Sequence, residues 1–226
     1  MTDFAKLRER MVERQLAARG IRNPHVLEAF RQVPREEFVA ADHRRQAYGD
    51  HPLPIEAGQT ISQPYIVALM IEAAGIGPGD RVLEVGAGSG YAAAVMSRIA
   101  AQVIAIERHP ELVAVASARM ERLGYANVSI VAGDGTRGWP GGAPYDAILA
   151  AASGSHVPQP LVDQLADGGR LVMPLGRQTW VQKLVKLTRL PDGKVERENL
   201  GEVRFVPLIG EEGWSETGQS HEGNSN

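Results

Sequence analysis

Cysteine is absent from the 226 residues, which excludes disulfides, thiolate metal ligands and a cysteine nucleophile together. An excess of charge of one sign is also missing. The formal net charge is -3, with acidic and basic residues mixed along the chain, so there is no electrostatic footprint for nucleic acid or an anionic membrane. No apolar run approaches the roughly 18 to 20 residues that span a bilayer, and the opening stretch MTDFAKLRERMVERQLAARG is charged throughout, without an apolar centre. His51, His109 and His156 are far apart and none stands at metal-ligand spacing from another histidine, so no metal site is expected. No G-x-S-x-G elbow surrounds Ser153 or Ser155, which argues against a hydrolase triad built with His156. What is present is an ordinary apolar content of 43%, enough for the core of one large domain or of a domain with appendages. These features together predict a soluble, cytoplasmic protein, and the lack of cysteine fits a reducing compartment.

Along the chain, Phe4, Leu7, Met11 and Leu16 recur at roughly helical spacing in an otherwise charged segment, which predicts a helix over Asp3 to Arg19 stopped by Gly20. NPHVLEAFRQV predicts a second helix capped by Asn23, with Pro24 in its first turn. From Pro34 to Thr60 the pattern breaks up, and a long irregular stretch inside a compact domain is usually functional or mobile. From Arg81 the chain alternates strands (RVLEV, QVIAIE, VSIVAG, YDAILAA, GRLVMPLG) with helices (GYAAAVMSRIA, PELVAVASARMERLG, PQPLVDQLADG). That order predicts an α/β fold, a doubly wound and mostly parallel sheet preceded by N-terminal helices. TWVQKLVKLTRL, the turn PDGK and a strand around GEVRFVPL predict an antiparallel C-terminal hairpin on its edge. The organisation expected is an N-terminal helical and irregular extension over 1–60, a main domain over 61–210, and a polar tail over 211–226, disordered except for Trp214.

The chemistry concentrates in a few segments. VLEVGAGSGY runs from a buried strand through Gly86, Gly88 and Gly90 into a helix, which gives a tight turn, close backbone approach to a ligand and free N–H groups at a positive helix end. The spacing is G-x-G-x-G, and Tyr91 stands where the third glycine of the dinucleotide fingerprint belongs, which tilts the reading away from NAD. Glu84, just ahead of the turn, can support it. Glu107 ends the next strand, where a carboxylate can accept both hydroxyls of an adenosine ribose; the plainer alternative is a solvated strand-end charge. Asp134 and Gly135 follow the third strand, again at a carboxyl end, with a simple Asp-Gly turn as the alternative.

GQTISQPY, Gly58 to Tyr65, places unusual polarity ahead of an apolar helix. Thr60 and Gln63 imitate a capping box, but that alignment puts Pro64 where a helical N–H is needed, so it is rejected. The helix is expected to begin at Pro64 or one residue earlier, with either Ser62 or Gln63 as cap.

The ordered motifs VLEVGAGSGY, IER ending at Arg108, GDG, PYDAILAAA and GGRLVMPLG resemble those of class I S-adenosylmethionine-dependent methyltransferases. MVERQLAARGI, VPREEFV, AYGDHPLPI, GQTISQPYIVALM and VRFVPLIG narrow the resemblance to the protein-L-isoaspartate (D-aspartate) O-methyltransferase family, from about Met11 to Trp214. The resemblance implies a Rossmann-like methyltransferase fold and S-adenosyl-L-methionine as methyl donor, with S-adenosyl-L-homocysteine as product. It implies repair methylation of L-isoaspartyl and D-aspartyl carboxyls in damaged proteins and peptides, leading to succinimide formation, by a monomer. It assigns Ser62 and Thr60 to catalysis and Glu84, Gly86, Gly88, Gly90, Glu107, Asp134 and Gly135 to the cofactor. Gln63, Val206, Pro207 and Leu208 fall to the substrate. Departures from the family pattern are Ala87 and Ala92 in the glycine loop, and Ser153 and His156 in AASGSHVPQPL, which bear on substrate preference more than on binding mode. Ser62 is expected to orient the substrate carboxylate, aided by the dipole of the helix behind it. Other readings are a class I methyltransferase for a small molecule and a noncatalytic nucleotide-binding module.

Overall fold

A computed structural model describes residues 2–177 and 181–215. The first helical stretch changes pitch along its length: α1 (Phe4–Met11) passes through a π turn at Val12–Leu16 and a 3₁₀ turn at Ala17–Arg19, and Gly20 ends it at φ 100°. The apolar spacing explains the widening. Met11 and Leu16 are both fully buried, and an i→i+5 turn brings them onto one face where a regular α-helix would separate them. α2 (Pro24–Gln32) begins as expected, with the Asn23 side chain accepting from the His25 N–H at 2.9 Å. After 3₁₀ turns at Arg35–Phe38 and Ala41–Gln46, the supposedly irregular stretch contains a small antiparallel pair, β1 (Leu53–Pro54) and β2 (Thr60–Ile61). α3 (Pro64–Ala74) starts at the proline and docks on the preceding segment through Glu72, which accepts from the Arg22 and Asn23 N–H groups at 2.7 and 2.6 Å.

The central sheet is built from β3 (Arg81–Val85), β4 (Gln102–Glu107), β5 (Val128–Ala132), β6 (Tyr145–Ala150), β7 (Leu165–Leu175), β8 (Gln182–Arg189) and β9 (Val195–Val203). Their spatial order is β5-β4-β3-β6-β7-β8-β9, parallel as far as β7 and antiparallel through β8 and β9. Between the strands lie α4 (Tyr91–Met96), α5 (Pro110–Leu123) and α6 (Gln159–Asp163). Period-2 alternation gives the sheet two apolar faces. Val82, Val103, Ala105 and Ala147 pack with α1 to α5, while Leu83, Ile104, Ile106 and Ile148 pack with Leu161 of α6 and with Leu208. The chain leaves β3 toward β4 on one side and returns to β6 on the other, so β3 and β6 flank the switch point where open α/β sheets bind ligands.

Two elements differ from expectation. α6 ends at Asp163 because Leu165 already pairs with Tyr145, so the predicted helical residues beyond it belong to β7. β9 starts earlier than predicted: the Leu190 N–H bonds the Lys194 carbonyl at 2.8 Å, and this tight turn brings Val195 directly opposite Arg189. The strand is mostly exposed, and so carries little of the apolar alternation that marks a strand in sequence. Beyond β9 the chain folds back over the sheet end, and Trp214 is 8% exposed with its indole N–H donating to the Ser153 carbonyl at 2.9 Å. The predicted strand residues Thr179 and Trp180, and the tail from 216 to 226, lie outside the described residues.

Candidate active site

The turn after β3 holds Gly86, Gly88 and Gly90 at φ 89°, 53° and 84°, a region costly for side-chain-bearing residues. Gly90 is also packed against α5: a Cβ there would meet Met120 Cε at 2.8 Å. The Gly86 and Ala87 N–H groups both donate to the Ile106 carbonyl, which ties the turn to β4. One residue further on, the Glu107 carboxylate accepts the Gly88 N–H on one oxygen and the His109 N–H on the other, each at 2.9 Å. A carboxylate has about four acceptor positions, so two stay available to a ligand. Glu107 borders a hollow of about 860 Å³ with Gly58, Gln59, Gly86, Gly88, Gly135 and Leu208 among its lining.

A second hollow, of about 500 Å³, lies on the other side of Gly86 and reaches Glu84, Ser89, Tyr91 and Ser62. Glu84 is 3% exposed and its Oε2 has no hydrogen-bond partner among the described residues. Burial, and then the charge of Glu107, push its carboxyl well above the ordinary range, against a smaller downward pull from an Ala93 backbone hydrogen bond. Tyr91 forms the floor. Its hydroxyl is buried and has no hydrogen-bond partner of ordinary geometry among the described residues; burial raises the phenol to about 12 although the neighbouring Arg35 opposes the shift.

A third and more open depression, about 1580 Å³, runs over Thr60, Ser62, Gln63 and the segment from Glu202 to Pro207. Ala151, which follows β6 at the switch point, lines all three spaces. Ser62 lines the second and third, and its hydroxyl has no hydrogen-bond partner among the described residues. The serine does not cap α3; Gln63 occupies the cap position, and its own side chain makes no capping bond. Gln63 Nε2 instead donates to Asp50 at 2.8 Å. The Tyr65 N–H also points to Asp50, at 3.4 Å, and Arg19 pairs with the same carboxylate. The anion at the start of α3 is therefore Asp50. The expected contribution of this helix dipole to a substrate carboxylate is reduced accordingly, because one of the free N–H groups of the first turn already faces a carboxylate.

The predicted residues divide unevenly. Thr60 is exposed on the wall of the open depression, Val206 and Pro207 border both it and the Glu107 hollow, and Leu208 is buried against the latter. Asp134 departs from expectation: it does not line the Glu107 hollow, although Gly135 does. One Asp134 oxygen accepts the Thr136 N–H and hydroxyl at 2.9 and 2.7 Å, and the other accepts the Glu211 N–H at 2.8 Å. Its carboxylate thus anchors the C-terminal segment.

A sequence profile described as protein-L-isoaspartate(D-aspartate) O-methyltransferase matches residues 6–213. The chain belongs to this family. Protein-L-isoaspartate O-methyltransferase 1 of Rhodopseudomonas palustris (strain HaA2) is 59% identical over 214 residues, covering 95% of this chain and 87% of that one. A solved protein-L-isoaspartate O-methyltransferase superposes with a TM-score of 0.81 at 34% identity, over 90% of this chain and 66% of that one. A Plasmodium falciparum structure of the same family name, in complex with S-adenosyl-L-homocysteine, superposes with a TM-score of 0.75 at 29% identity, over 89% and 98% of the two chains.

For a protein-L-isoaspartate O-methyltransferase family chain, the site residues that sequence reasoning missed are Ala151, Phe205, Asp50 and Arg35. Ala151 was reachable from the strand-end rule, since it directly follows β6. Phe205 and Asp50 stand within the segments VRFVPLIG and AYGDHPLPI, but only the fold shows that these two side chains reach the site.

Proposed function

We propose that the chain is a repair methyltransferase that esterifies the free carboxyl of L-isoaspartyl residues, and the side-chain carboxyl of D-aspartyl residues, in damaged proteins and peptides, with collapse to a succinimide following. The observation that carries this reading is Ser62, which borders both the enclosed hollow at Glu84 and the open depression beside Val206. The fit of S-adenosyl-L-methionine rests on the unpartnered Glu84 oxygen, a buried acceptor suited to an α-ammonium, and on the unused acceptor positions of Glu107, suited to ribose hydroxyls. Gly86, Gly88 and Gly90 let the backbone approach the ligand, and Gly135 and Leu208 close the far side of the hollow. When bound, S-adenosyl-L-methionine would supply a sulfonium methyl group that a carboxylate oxygen can accept, with the thioether of S-adenosyl-L-homocysteine as the leaving group.

The chain's own task is placement. A substrate carboxyl with a pKa of about 4 is ionised at neutral pH, so no general base is needed. Ser62 donates its hydroxyl to that carboxylate and fixes the attacking oxygen, with Thr60 nearby on the same wall. Orientation of this kind is worth roughly 7 to 11 kcal/mol in the best intramolecular cases. Gln63, Val206 and Pro207 flank the peptide; Gln63 acts while held by Asp50. The breadth of the open depression favours a peptide over a small molecule, which enclosed pockets bury on most sides. The chain is read as acting as a monomer, and the absence of cysteine is in keeping with the cytoplasm. Among the described residues no helix is long and apolar enough to cross a membrane. The test is methyl transfer from S-adenosyl-L-methionine to a synthetic isoaspartyl peptide and to its aspartyl twin. Ester formation on the isoaspartyl peptide alone is expected, and methylation of neither peptide would defeat the reading.

A further inference from the structure

The proposed role of Ser62 leaves open what fixes Ser62 itself, since neither helix capping nor a hydroxyl hydrogen bond does so. Its carbonyl oxygen accepts a hydrogen bond from Arg35 Nη2 at 2.9 Å. Arg35 is 0% exposed, a rare state for an arginine, and among the described residues no carboxylate lies within ion-pairing distance of it. Its Nε donates to the Ala47 carbonyl at 2.7 Å, and its guanidinium carbon sits 4.7 Å from the centroid of the Tyr91 ring. Among the described residues neither Nη1 nor the Tyr91 hydroxyl makes a hydrogen bond of ordinary geometry, although the two groups attract each other. A guanidinium is planar, and its donors form a rigid fork. Two carbonyls and one ring therefore hold Arg35 in a single orientation, and through it hold the backbone of Ser62.

A buried cation without a counter-ion is costly, and folds keep one where something compensates for it. Ser62 lines both the hollow at Glu84 and the open depression, and Tyr91 lines the former, so Arg35 lies behind the seam where the substrate carboxylate is read to meet the cofactor. We propose that Arg35 is a positioning residue: it clamps the Ser62 carbonyl so that the hydroxyl is aimed at the isoaspartyl carboxylate, and its charge, which no described carboxylate pairs directly, favours that anion over a neutral group. This rests on the reading of Ser62 given above. Arg35 is fully buried and lines none of the three spaces, and the sulfonium side of the site, at Glu84 and Glu107, is served by other residues.

The test is a double-mutant cycle on the full chain with an isoaspartyl peptide, using Arg35→Lys, Ser62→Ala and the pair. Arg35→Lys keeps the charge and loses the fork, so kcat should fall about tenfold while the Kd for S-adenosyl-L-homocysteine changes less than about threefold. In the Ser62→Ala background the same substitution should change kcat less than about twofold, because there is no hydroxyl left to aim. An equal loss in both backgrounds, or a parallel loss of cofactor affinity, would overturn the inference by showing general structural damage. A Ser62→Ala enzyme of unchanged turnover would instead defeat the Ser62 reading on which the inference rests.

A second measurement needs no variant to fold. In the wild-type protein with S-adenosyl-L-homocysteine, the Arg35 Nε–H, slow to exchange because it is buried, should shift in ¹⁵N spectra on adding isoaspartyl peptide and stay in place with the aspartyl twin. An unmoved resonance under saturating isoaspartyl peptide would also overturn the inference.

Discussion

Replacing Glu84 with glutamine separates two consequences of one buried carboxyl. The side chain is 3% exposed, Oε2 has no partner among the described residues, and burial together with the Glu107 charge holds its pKa well above 4.5. Between 4.5 and that raised value the folded protein binds a proton that the unfolded chain releases, so this group's contribution to stability is full below 4.5 and is lost as pH rises through the window. Glutamine keeps the shape and cannot ionise. The variant should therefore lose this fall in stability and gain most relative to wild type on the alkaline side, measured as urea unfolding free energy against pH. The cofactor acts in the opposite sense. An ammonium placed against the orphaned oxygen draws the carboxyl back to its charged form, and a hydrogen bond to a charged group is worth about 1.5–3 kcal/mol. Glu84→Gln should weaken S-adenosyl-L-homocysteine binding by about 10- to 150-fold. Calorimetry in buffers of different ionisation enthalpy should also show proton release on binding to wild type, at pH values below the folded pKa of Glu84, and none with the variant. Equal affinity and equal proton release in the two proteins would refute the assignment.

Gly90→Ala places a Cβ at a φ of 84° and against Met120 Cε, whose flexible end can yield, so backbone strain should dominate at about 1–2 kcal/mol. Thermal unfolding should register that loss, with weaker cofactor binding beside it; unchanged values for both would contradict the packing described. Trp214→Ala removes a buried indole and its bond to the Ser153 carbonyl and should cost about 3–5 kcal/mol. A Tm shift under about 2 °C would mean that the C-terminal segment is not held as described.

Much of the architecture was legible because parallel strands buried on both faces write continuous apolar runs. RVLEV and QVIAIE coincide with β3 and β4, and the proline rule placed the start of α3 at Pro64. The miss at β9 has a physical cause: an exposed edge strand has almost no burial pattern to read, whereas Arg204, Phe205 and Val206 looked more strand-like. The glycine turn and Glu107 could be read from strand-end logic, and they lie where that logic puts them. Asp134 occupied an equally suggestive position, yet its oxygens are taken by Thr136 and Glu211, a partner from a distant segment. Asp50 and Arg35 were silent for the same reason. Each stands in a segment that carries the family resemblance, VPREEFV for Arg35 and AYGDHPLPI for Asp50, yet its own part becomes visible only when the fold sets it beside α3.

The central claim is that one hydroxyl, at the seam between an enclosed cofactor space and an open peptide groove, orients a carboxylate that needs no base. The most direct measurement is single-turnover methyl transfer to an isoaspartyl peptide by wild type and by Ser62→Ala, with the Kd for S-adenosyl-L-homocysteine determined on the same preparations. The account predicts a fall of at least about tenfold in the methyl-transfer rate, equivalent to about 1.4 kcal/mol, with cofactor affinity little changed. An undiminished rate, or a loss explained by weaker cofactor binding, would contradict it.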